Sequence, residues 1–170
     1  MIKRTPWTIF NVFPLMVLWL AMVVAGCSTI SDDEPELVER VKVGGAVPSF
    51  TVNIVGPEGQ EGTFSTTRLT GTTVIVFFNT SCKDCQRDLP LLNQYYLQHK
   101  DEPDFRMLAI SREENEENVA AYWAANGLLI PYSPQEDRRI YNLFATSIIP
   151  RIYFCRDGIV TRIDIEKFSI

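Results

Sequence analysis

The stretch Thr72-Thr73-Val74-Ile75-Val76-Phe77-Phe78-Asn79-Thr80-Ser81-Cys82-Lys83-Asp84-Cys85 decides how this chain is read. Its first seven residues are β-branched or aromatic without polar alternation, which suits a strand buried on both faces of a sheet. Two cysteines, two residues apart, follow where that strand should give way to a helix carrying Leu89, Leu92, Tyr96 and Leu97. A cysteine at a helix N-terminus faces unpaired backbone N–H groups and the positive end of the dipole, so the thiolate of Cys82 is favoured. Cys85, one turn further in, is placed to resolve a mixed disulfide formed at Cys82. Lys83 adds to the thiolate's stability and Asp84 subtracts from it, so the pair leaves the redox potential unsigned.

The remaining cysteines narrow the choice. The chain has four, and Cys155 lies in the apolar run Arg151 to Arg156, where a buried small hydrophobe is the default and a spare or regulatory thiol the alternative. A zinc knuckle at Cys82 and Cys85 needs two more ligands, and the single histidine, His99, has no cysteine beside it. Haem attachment needs a histidine after the second cysteine, where Gln86 stands. A structural disulfide closing so small a loop restrains the unfolded chain little. Exchange chemistry fits both place and residue type.

Outward from the pair, the pattern is that of an α/β protein with a mixed sheet. Strands are expected at Thr51 to Val55, at Asp104 to Ile110, and as a hairpin of Arg151 to Arg156 and Ile159 to Ile165 turning at Asp157-Gly158. Gly56-Pro57-Glu58-Gly59 reads as a turn. Ser111 with Glu114 forms a capping-box signature for a helix presenting Val119, Tyr122 and Trp123, ending at Asn126-Gly127. A shorter helix is expected from Gln135 to Ala145, burying Ile140 and Phe144.

The N-terminus is a targeting segment. Lys3 and Arg4 precede the apolar run Leu15 to Gly26, and Val24-Ala25-Gly26-Cys27 resembles the bacterial lipobox, in which the cysteine is lipidated. An uncleaved signal anchor is the competing reading, but Asn11 and Pro14 interrupt the run and leave it short for a span. The expected organisation is a lipoprotein signal peptide at 1–26, an acidic tether at 27–42 and one domain at 43–170, held outside the cytoplasm in the bacterial cell envelope. The 16 Lys and Arg include Lys3 and Arg4; without them 14 basic residues face 21 acidic ones, a net charge of −7. That balance argues against nucleic acid as a partner.

Val74 to Pro90, with the opening Val43-Gly44 and Pro48-Ser49-Phe50 and the hairpin Arg156 to Val160, resembles TlpA/ResA-type thioredoxin-like proteins. The resemblance covers nearly the whole domain. It implies a thioredoxin-like mixed β-sheet flanked by helices and a thiol–disulfide oxidoreductase whose only cofactor is its own Cys82–Cys85 disulfide. It further implies a reductase of disulfides in exported proteins, supplied by a membrane thiol donor. Pro90 sits where the family interrupts its active-site helix. Pro150 matches its cis-proline, which would expose the backbone of Ile149 to an extended substrate. Asp88 matches an acidic position implied to handle the Cys85 proton, against an exposed helix carboxylate as the plainer reading. Ser81 replaces the usual tryptophan, neither residue between the cysteines is proline, and the C-terminal helix is short or missing, which would leave an apolar patch. Two other readings remain: a thiol peroxidase, whose Pro-x-x-x-Thr-x-x-Cys run is not met because Thr80 lies one position too close to Cys82, and a binding or assembly module of a surface lipoprotein complex.

Overall fold

A computed structural model describes residues 38–169. Cys27, the leader at 1–26 and the tether up to residue 37 lie outside the described residues.

Seven strands form one mixed sheet: β1 (Thr51–Val55), β2 (Glu61–Ser65), β3 (Thr72–Phe78), β4 (Phe105–Ser111), β5 (Tyr132–Ser133), β6 (Arg151–Arg156) and β7 (Ile159–Ile165), in the order β2-β1-β5-β4-β3-β6-β7. β3 occupies the interior, parallel to β4 and antiparallel to β6. All its residues after Thr72 are buried, as its unbroken apolar sequence requires of a strand covered on both faces. Gly71 makes the entry to β3: its φ is +69°, and a Cβ there would collide with the backbone of Asp104. β6 and β7 form the expected hairpin, turning through Asp157 and Gly158 at positive φ.

Among the described residues, two helices are packed into this framework. α1 (Lys83–His99) buries Cys85, Asp88, Leu89 and Leu92, a stripe at helical spacing, and holds Pro90 in its interior. α2 (Glu116–Asn126) buries Val119 and Trp123 and closes at Gly127, whose φ of 59° supplies the left-handed cap.

Several expectations are corrected. The cap of α2 is Asn115, whose side chain accepts the Asn118 N–H at 2.9 Å; Ser111 still belongs to β4, and its Oγ accepts the Gln135 N–H at 2.7 Å. No helix spans 135–145. Gln135 bridges to Glu114, Asp137 turns the chain by accepting the Arg139 N–H, and only Tyr141–Leu143 closes a 3₁₀ turn. Phe144 is nonetheless fully buried. β2 lies past the predicted turn and buries one apolar residue, Phe64, so its sequence carries little strand signal. The domain also takes up the chain before residue 43: Glu39 bridges to Ala145, and Arg40 and Val41 donate their N–H groups to the Phe144 carbonyl. After β7 the chain folds back, and Phe168 is buried against Tyr95 and Phe154, covering the apolar patch expected there.

Candidate active site

β3 delivers the chain to a loop, residues 79–82, that is fixed largely by its own polar groups. The Asn79 side-chain oxygen accepts the Ser81 N–H at 2.9 Å and the Ser81 hydroxyl, while the Asn79 carbonyl accepts the Cys82 N–H at 3.1 Å. Gln86 donates its Nε2 to the Thr80 carbonyl at 2.7 Å. The segment after β4 adds two ties. The Glu114 carboxylate, buried, accepts the Thr80 N–H at 2.8 Å and the Thr80 hydroxyl, and the Arg112 carbonyl accepts Asn79 Nδ2 at 3.0 Å.

Cys82 is the N-cap residue of α1, in extended conformation, and is partly exposed; Cys85 is fully buried in the first turn. Both are free thiols. Burial is the main influence on Cys85 and pushes its thiol well above its ordinary value of 9.0. A hydrogen bond from the Asn79 backbone opposes this, the Cys82 sulfur adds to it, and the Arg112 charge opposes it weakly. The two thiols therefore differ in kind: one is reachable, and the other holds its proton. Asp84, expected to act on the pair, is exposed and paired with Arg87 at 2.6 Å.

Opposite Cys82 stands the loop 147–150. The Ile149–Pro150 peptide is cis, and Cys82 Sγ lies 3.6 Å from the Ile149 carbonyl oxygen. The structure thus brings Cys82, Cys85, Ile149 and Pro150 together. Asp88 is fully buried rather than exposed. Its carboxylate accepts from Arg87 Nε at 2.7 Å and from the Phe168 N–H at 2.7 Å, so it ties α1 to the returning C-terminal segment. Cys155 is also buried, and burial pushes its thiol up to about 12, the behaviour of an inert core thiol.

Sequence reasoning missed Glu114, taking it for a helix cap, and missed the buried Arg151. The signal for Arg151 was available: an arginine directly after Pro150 that opens a strand continuing Ile152-Tyr153-Phe154-Cys155 has to find a buried partner.

A buried strand feeding an N-capping cysteine, with a second cysteine one turn inside and a cis-proline loop against the first, defines a thioredoxin-like redox fold. The family model described as thioredoxin-like matches residues 71–156, from the entry of β3 to the end of β6, and the chain belongs to that family. It is 26% identical over 155 residues to the thiol-disulfide oxidoreductase ResA of Oceanobacillus iheyensis, spanning 91% of this chain and 78% of that one. The solution structure of a candidate protein disulfide isomerase from Bacteroides thetaiotaomicron matches with a TM-score of 0.69 at 25% identity, over 78% of this chain and 84% of its own. StoA from Bacillus subtilis shares the fold with a TM-score of 0.58 at 19% identity, over 73% of this chain and 92% of its own.

Proposed function

We propose that the chain is a thiol–disulfide oxidoreductase that reduces disulfides in exported proteins, with Cys82 as nucleophile and Cys85 as resolving thiol. The observation that carries this reading is the placement of Cys82: partly exposed at the N-terminus of α1, 3.6 Å from the Ile149 carbonyl, with the buried Cys85 behind it.

The exchange runs in two steps. The Cys82 thiolate attacks one sulfur of the substrate disulfide, the substrate S–S bond breaks, and the departing sulfur leaves as a thiolate and takes up a proton. Cys85 then gives up its proton and attacks the Cys82 sulfur. The mixed disulfide breaks, the second substrate thiol is released, and Cys82–Cys85 is left as a disulfide. Two electrons have passed to the substrate. In this reading Asp88, one helical turn beyond Cys85 on the buried face of α1, takes up the Cys85 proton by giving up a hydrogen bond from Arg87 or the Phe168 N–H. The backbone of Ile149 beside Pro150 offers an extended substrate segment a pairing edge. The dithiol is its own cofactor, and a membrane thiol carrier returns it to the reduced form. The lipobox-like Val24-Ala25-Gly26-Cys27 supports a lipid anchor at Cys27 and a domain standing outside the cytoplasm in the cell envelope.

The test is reduction of insulin disulfides with a thiol donor present. Cys82→Ser is expected to abolish turnover with the fold retained. Undiminished turnover in that variant would remove Cys82 from the reaction.

A further inference from the structure

The loop that faces Cys82 is built on a buried charge. Arg151 is 2% exposed, and its Nε donates to the carbonyls of Ser147 at 2.9 Å and Ile148 at 3.1 Å. The Tyr141 hydroxyl reaches the same two carbonyls, at 2.7 Å for Ile148. Ile148 adopts a φ of 68°, a left-handed conformation in which a β-branched residue is a genuine outlier. Such a conformation persists only where its surroundings over-determine it. Here two donors draw the carbonyls of residues 147 and 148 to one place. The next carbonyl, that of Ile149, faces Cys82 Sγ instead.

A buried guanidinium needs a counter-charge, because desolvating it unpaired is costly. Glu39 provides it, pairing with Arg151 and also accepting the Tyr153 hydroxyl at 2.9 Å. The segment carrying Glu39 is bound in turn to the residues that lead into the loop: the Val38 N–H donates to Thr146 Oγ1, the Thr146 N–H to the Val38 carbonyl, and the Arg40 N–H to the Phe144 carbonyl. These links converge on residues 144–148 and on the ion pair beside them, and the Arg138 guanidinium also donates to the Thr146 carbonyl.

The geometry points to Glu39 and Arg151 as positioning residues that set the Ile149 carbonyl at the nucleophile, so that the start of the domain, where the expected tether joins it, governs how an extended protein substrate is received. This rests on the thiol–disulfide reading given above and adds to it a residue 43 positions upstream of Cys82. A small disulfide needs only the Cys82 sulfur, whereas a protein segment must also pair with the Ile149 backbone. Loss of Glu39 therefore acts selectively.

The experiment compares kcat/KM for insulin reduction with the rate of reaction with a small aromatic disulfide, dithiobis(nitrobenzoate), in the full chain. Reaction of the wild type with both, and of Cys82→Ser with neither, secures the underlying reading independently. Glu39→Ala is then expected to lose roughly tenfold more against insulin than against the small disulfide, mostly through KM, given how steeply rate depends on alignment. Tyr141→Phe removes a single hydroxyl from a ring packed edge-on against Phe77, and should shift the ratio in the same direction even if Glu39→Ala is not recovered folded. Equal losses against both disulfides, or no loss in either folded variant, would overturn the assignment.

Discussion

The loop at 79–82 and the loop at 147–150 meet at the Cys82 sulfur, yet they are fixed by different means. In the first, most ties are short-range: Asn79 to Ser81, Asn79 to Cys82 and Gln86 to Thr80 lie within six positions of one another. Glu114 and Arg112 complete it from the end of the neighbouring strand. In the second, the decisive pair joins Arg151 to Glu39, 112 positions away, through a charge fully out of water. The nucleophile is thus presented by a local turn on a helix end, and the surface opposite it by a long-range ion pair whose arginine is buried. Disturbance of one loop should leave signatures that disturbance of the other does not.

The largest stability effect in the dithiol loop should come from Glu114→Ala. It removes a buried carboxylate that accepts both the Thr80 N–H and the Thr80 hydroxyl, and hydrogen bonds to a charged acceptor contribute about 1.5–3 kcal/mol. We expect about 2 kcal/mol of destabilisation in urea unfolding, together with a faster reaction of Cys85 with alkylating agents as the turn loosens. Unchanged stability would mean that the turn is self-sufficient without Glu114.

A smaller, pH-dependent effect separates the reduced from the oxidised protein. Cys85 has its folded-state value raised above 9.0 by burial, so the folded state keeps a proton that the unfolded chain releases. That contribution is fully present below pH 9 and is lost as pH climbs from there toward the folded value. The reduced protein should therefore lose stability above pH 9 more steeply than the oxidised one, by at most about 1.4 kcal/mol per pH unit. Cys155, raised to about 12 by burial, contributes with the same sign in both forms and cancels from the difference. Parallel slopes for the two forms would show that Cys85 is more solvated than its burial implies.

The same contrast explains what was legible in the sequence. The strand at Thr72–Phe78, the cysteines at the start of α1, the glycine cap at Gly127 and the turn at Asp157-Gly158 announce themselves because each depends on adjacent residues. β2 and the two-residue β5 leave little trace in the sequence because pairing with β1 and β4, rather than their own composition, makes them strands. The segment 135–145 has helical spacing in Ile140 and Phe144, but Asp137 and the bridge at Gln135 commit its backbone elsewhere. At the site, the structure places Cys82, Cys85, Ile149 and Pro150 together. Asp88 is engaged with Arg87 and the Phe168 N–H, a tie that forms only once the C-terminal segment has folded back. Glu39 falls within the expected tether, and an acid between Val38 and Arg40 gives no sign of an arginine 112 positions away.

The most direct test of the central claim is to trap the first covalent step. Cys85→Ser should react with a protein disulfide and stop, accumulating a mixed disulfide that peptide mass mapping places on Cys82. An adduct mapped to Cys155, or turnover continuing without Cys85, would contradict the assignment of Cys82 as nucleophile and Cys85 as its resolving partner.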